Sequence, residues 1–99
     1  MTIRDIIWLH RFRQKVESKH GLSTEEVEYV LQQKPLIRFH ERGNVKGENL
    51  YTAWSQTWTG RYVMVVFILK KGSRALPISA RVMTTREKKR YARQKKKKA

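Results

Sequence analysis

The eight residues Tyr62 to Leu69, YVMVVFIL, are apolar without a break, and no other stretch limits the possible architectures as tightly. The run is far short of the roughly 20 residues that a membrane helix needs. It suits a central strand covered on both faces, with Arg61 and Lys70 marking where the chain returns to water. The rest of the chain must therefore supply neighbouring strands and covering layers. Ninety-nine residues in all suffice for one domain around one small core.

Local signals place those layers. Ile6, Ile7, Trp8 and Leu9 open an apolar stretch that spaces out as Leu9, Phe12 and Val16, a helical interval that leaves Arg11, Arg13 and Lys15 on other faces. Gly21 closes this helix from the left-handed position, with His20 beside the carbonyl end of its dipole. Ser23 and Glu26 then form a capping box, with Leu22 and Val27 as its hydrophobic staple. Val27, Val30 and Leu31 make the buried stripe of this second helix, and Pro35 ends it.

Strands follow at Leu36 to Glu41, Leu50 to Thr57, Arg61 to Lys70 and Arg74 to Arg81, separated by turns rich in glycine. The connections are too short for crossover helices, so the expected sheet is an antiparallel meander of about four strands. Pro77 assigns the last strand to an edge or a bulge. Thr84 with Glu87 forms a second capping box, opening a final helix through about Arg93. The expected fold class is α+β, with two N-terminal helices, the sheet, and a C-terminal basic helix. Residues 1–94 form the domain, and 95–99 a flexible Lys-rich tail.

Charge narrows the function. The net charge is +15, and from Arg81 onward ten Lys or Arg face a single Glu, so nine of those fifteen charges fall in the last 19 residues. A positive field concentrated in this way gains most from a polyanion, by releasing counterions from phosphates. Cysteine is absent, which excludes disulfides and thiolate zinc sites and is compatible with a reducing cytoplasm. The expectation is a cytoplasmic protein with no membrane association. No phosphate-binding glycine loop, nucleophile elbow or paired-carboxylate motif occurs, which argues against nucleotide hydrolases and esterases.

The order and spacing of Trp8, Lys19-His20-Gly21, the Ser23 to Val27 helix start, Arg38-Phe39, Glu41-Arg42-Gly43, Gly47-Glu48, Gly60-Arg61-Tyr62, Ile78-Ser79-Ala80-Arg81, Met83-Thr84 and Arg86-Glu87 to Tyr91 resemble the BrnT toxin family. That resemblance implies a small RelE-like ribonuclease, the toxin of a type II toxin–antitoxin pair that inhibits translation by cleaving RNA. It also implies a ribbon-helix-helix antitoxin partner, with operator DNA bound only through the complex.

Cleavage of RNA without a metal requires the 2′-hydroxyl to lose a proton, the phosphorane charge to be stabilised, and the 5′-oxygen to gain a proton. Arginine suits the second task, because its planar fork meets phosphate oxygens in pairs and stays charged. Arg81 is the first candidate, at a strand end just before a helix N-terminus. Arg61, His20, Glu41 and Tyr91 complete the catalytic set. Arg86, Lys89, Arg90 and Arg93 on the last helix, with Lys70 at the end of the central strand, are the candidate RNA contacts.

His40 stands beside Glu41, but neighbours on a strand point to opposite faces, which argues against their acting together. The three histidines show no metal-ligand spacing, so neither a metal site nor another cofactor is expected. Trp54 and Trp58 share strand parity and are expected on one aromatic face, whereas Trp8 reads as core. Two other functions fit the charge: a basic module that binds RNA or the ribosome without cutting, and a DNA-binding protein. The latter lacks a recognition helix pattern, since the capped second helix carries Glu25, Glu26 and Glu28.

Overall fold

The computed structural model describes residues 1–19 and 21–98. A two-residue strand, β1 (Asp5–Ile6), is followed by helices α1 (His10–Lys19) and α2 (Thr24–Gln32). Four strands come next, β2 (Leu36–Glu41), β3 (Leu50–Gln56), β4 (Tyr62–Lys70) and β5 (Arg74–Val82), and then helix α3 (Thr85–Lys98). The sheet runs β1-β5-β4-β3-β2. β2 to β5 form the expected antiparallel meander.

β1 corrects the expected four-stranded antiparallel sheet to a mixed sheet of five strands. It pairs in parallel with the start of β5, Asp5 opposite Arg74 and Ile6 opposite Ala75. Two residues cannot display an alternating pattern, so the apolar Ile6 to Leu9 stretch reads as the beginning of a helix that in fact starts at His10. At the other end α3 runs on to Lys98 instead of stopping near Arg93. The lysine run read as a flexible tail is thus helical as far as Lys98.

The capping boxes form as the sequence predicts. The Ser23 hydroxyl accepts from the Glu26 amide at 3.1 Å, and Glu26 Oε1 accepts from the Ser23 amide at 3.3 Å. At α3 the Thr84 amide donates to Glu87 Oε1 at 2.9 Å, and the Glu87 amide donates to Thr84 Oγ1 at 3.2 Å. Gly21 adopts φ +63° between α1 and α2, the left-handed geometry that a side chain disfavours.

β4 occupies the middle of the sheet, and alternation divides its side chains between two cores. Val63, Val65 and Phe67 pack with Ala53, Ala80, Val16, Leu22, Val27, Val30 and Leu31 beneath α1 and α2. Each Val, Leu or Phe among them, fully buried, stabilises the fold by about 1.5–3 kcal/mol. On the opposite face Met64 joins Met83 and Tyr91 in a smaller cluster beneath α3, flanked by Leu36, Trp54, Tyr62 and Val66. Helices α1 and α2 therefore back the sheet, while α3 roofs only part of its second face.

Pro77 is fully buried beside an irregularity in the β4–β5 register, where Val66 faces Ser79 but Phe67 faces Pro77. This is the bulge that its missing N–H demands. Trp8 is half-buried against the main core and donates to Glu28 Oε2 at 2.7 Å.

Candidate active site

The part of the second face that α3 leaves open forms a groove of about 590 Å³. Its floor comes from β3, β4 and β5, because Thr52, Trp54, Met64, Val66 and Arg81 fall on one face by alternation. Arg38 and His40 line it from β2, and Glu87 and Arg90 from α3. The Trp54 indole donates to Thr52 Oγ1 at 2.8 Å, which fixes the ring against the floor.

Arg81 lies opposite Met64 in the sheet and reaches α3. Its Nη1 and Nη2 donate to Glu87 Oε1 at 2.6 Å and Oε2 at 2.8 Å, a bidentate pair. Arg81 holds the Glu87 carboxyl down to about 2, with the Thr84 amide assisting and burial opposing. Glu87 in turn pushes the Arg81 guanidinium up. The same carboxylate thus caps α3 and orients Arg81. The Arg81 side chain keeps 40 % of its surface exposed, so a phosphate in the groove can meet its remaining N–H groups.

The structure separates the other candidates. Arg90 lines the groove, and Arg86, Lys89 and Arg93 are exposed on α3. Tyr91 is buried, edge-on to Tyr62 at 6.2 Å, and anchors the helix to the sheet without lining the groove. Lys70 pairs with Glu48 at 2.7 Å beside a second depression that Leu9, Phe12 and Ile68 also line. His20 lies outside the described residues.

Arg61 is committed elsewhere. Its Nη2 meets Glu26 Oε1 at 2.5 Å and also donates to the Gly21 carbonyl at 2.9 Å, while Nε donates to Glu26 Oε2 at 3.2 Å. Thr57 and Thr59 donate to Glu26 Oε2 as well. This network ties the β3–β4 turn to the start of α2, and Arg61 is not among the groove residues.

Two expectations from strand parity fail. Trp58 lies beyond β3 in the turn, edge-on to Tyr29 of α2 at 5.3 Å, whereas Trp54 packs under α3, so the two share no face. His40 and Glu41 do not point apart. The β2–β3 register slips there, with Phe39 opposite Tyr51 and Glu41 opposite Leu50, leaving His40 as the extra residue of a bulge. The two side chains converge, His40 Nε2 lying 3.8 Å from Glu41 Oε1.

Sequence reasoning left Arg38 and Thr52 out of the site and offered Trp54 only as part of an aromatic face shared with Trp58. The available signal was parity, since Arg38 alternates with Leu36 as Thr52 does with Trp54, but only the pairing of β2 with β3 shows that they share a face. Among the described residues no group of three or more His, Cys, Asp or Glu could hold a metal ion. No helix described is long and apolar enough to cross a membrane.

A partly roofed sheet face bearing arginines from three elements is a surface suited to a phosphodiester backbone, and the comparison with known proteins gives the class: a ribonuclease toxin of a type II toxin–antitoxin system. Residues 8–87 match the family described as "Ribonuclease toxin, BrnT, of type II toxin-antitoxin system", and the chain belongs to this BrnT family. The crystal structure of the Brucella abortus ribonuclease toxin BrnT superposes with a TM-score of 0.60 at 21% identity. It covers 85% of this chain and all of that one, and it shares the fold. No curated protein sequence matches the chain. The family match ends at Glu87, so most of the basic face of α3 lies beyond it. Family membership implies an RNA substrate and an antitoxin partner, and favours a nuclease over a module that only binds.

Proposed function

We propose that the groove beneath α3 is the RNA-cleaving site and that Arg81 stabilises the phosphorane. The observation that carries this reading is the bidentate Arg81–Glu87 pair at a groove shared with Arg38 and Arg90. Pre-organised positive charge where negative charge develops is commonly the largest single contribution to catalysis. Arg38 and Arg90 hold flanking phosphates, and the exposed Arg86, Lys89 and Arg93 extend the track along α3. Trp54 lines the groove floor, where a base can pack against it.

In this reading the protein is an endoribonuclease that uses side chains alone, so cleavage persists in EDTA. It inhibits translation in the cytoplasm by cutting messenger or ribosome-associated RNA. A ribbon-helix-helix antitoxin silences it by covering the basic surface, and operator DNA is bound only through that complex. Acidic residues on the antitoxin would speed their association. Of the remaining catalytic candidates, Arg61 and Tyr91 take structural roles; Lys70, a candidate RNA contact, supplies charge outside the groove.

The test is induced expression of wild type, Arg81→Lys and Arg81→Ala in a bacterial host, with total RNA mapped for new 5′ ends. Growth arrest with new ends in wild type alone supports the reading. Arrest without new ends, retained in Arg81→Lys, would leave only binding.

A further inference from the structure

The groove needs a group that can take a proton from the 2′-hydroxyl, and the arginines cannot do so. Arg38, Arg81 and Arg90 remain charged, and Glu87 is engaged by both Arg81 nitrogens and the Thr84 amide. Tyr91 is buried against Tyr62. His40 is what remains among the described residues of the groove lining. It is 49% exposed on β2, an edge strand of the sheet.

The bulge gives this residue a neighbour that a regular strand would deny it. Glu41 stands opposite Leu50, which shares a face with Thr52 and Trp54, and its carboxylate approaches His40 Nε2. Glu41 lies close enough to help orient the imidazole, and the arginines lining the groove attract the phosphate. Glu87 faces the groove as well, with its charge offset by Arg81.

Resting on the proposed role of the groove, the geometry points to His40, assisted by Glu41, as the general base that accepts the 2′-hydroxyl proton during RNA cleavage. The 2′-oxygen bonds to phosphorus as its proton passes to the imidazole. The P–O5′ bond breaks, and the 5′-oxygen takes a proton from water. The imidazolium returns its proton to the hydroxide so formed. The products are a 2′,3′-cyclic phosphate and a 5′-hydroxyl, with no oxidant or further reactant required.

The experiment measures cleavage and binding of a fluorescent single-stranded RNA oligonucleotide by wild type, His40→Gln, His40→Ala and Arg81→Ala, across pH. Circular dichroism confirms that each variant is folded. The expected result is a loss of about 10²–10⁴-fold in kcat for His40→Gln with RNA affinity nearly unchanged. One ionisation should also disappear from its pH–rate profile, and added imidazole should restore part of the activity of His40→Ala. Wild-type rates in His40→Gln alongside an inactive Arg81→Ala would overturn the assignment and leave the groove reading intact. Joint loss of binding and cleavage without imidazole rescue would make His40 a contact residue and overturn the assignment too. Wild-type rates in both His40→Gln and Arg81→Ala would sink the groove reading itself.

Discussion

Arg61 and Glu26, 35 positions apart in sequence, meet through two donor nitrogens and two acceptor oxygens, the shortest contact being 2.5 Å. Glu26 is nearly buried, with 6% of its side chain exposed. A carboxylate removed from water in this way is costly unless paired and hydrogen-bonded, and here Ser23, Thr57, Thr59 and Arg61 all donate to it. Glu26→Gln should therefore destabilise the protein by about 2–3 kcal/mol, read as a lower urea midpoint. An unchanged midpoint would show the network to be dispensable.

Acid should erode the fold through two carboxyls. Glu26 and Glu87 are each lowered from 4.5 to about 2, first by hydrogen bonds from their arginines. A depressed native value means that the unfolded chain binds the proton more readily. The stabilisation is complete above about 4.5, declines as pH falls, and is gone below about 2. Thermal midpoints should fall across that window, and less steeply in Glu26→Gln. A midpoint that is flat with pH would contradict both pairs.

Glu87→Gln separates orientation from capping. Glutamine at the third position of a helix can still complete a capping box, so α3 should keep its start while Arg81 loses its charged partner. Misplacing that guanidinium should lower kcat by about 10- to 100-fold. RNA affinity should hold or rise, because a negative charge leaves the groove. Loss of affinity with kcat retained would contradict the assignment.

Tyr91 distinguishes an anchor from a catalyst. Tyr91→Phe keeps the ring against Tyr62 and should cleave at the wild-type rate, whereas Tyr91→Ala should cost about 3 kcal/mol by leaving a cavity under α3. A marked loss of kcat in Tyr91→Phe would return the hydroxyl to the reaction.

Arg90 should count as one phosphate contact. In a titration of binding against salt, Arg90→Ala should reduce the log–log slope by about 0.7, the contribution of one contact to a single strand. An unchanged slope would place Arg90 off the RNA path.

What the sequence reveals follows the range of each interaction. The capping boxes at Ser23 and Thr84 lie within four residues of their partners, so they can be read directly, and the apolar run of β4 announces its burial. Arg81 stands out by position, between a strand end and a helix start. The Arg61–Glu26 pair and the pairing of β1 depend on partners 35 or more residues away, which no local pattern specifies. The His40 bulge arises from how β2 meets β3, and the same two residues on a regular strand would diverge.

The parallel pairing of Asp5–Ile6 with Arg74–Ala75 sets an order on assembly. β2 to β5 can form by successive hairpins between neighbouring segments, each closing a short loop. The N-terminal strand has no place to dock until β5 exists, and closing a loop of that length is entropically slow. The first strand of the chain thus joins the sheet only after the final one is in place.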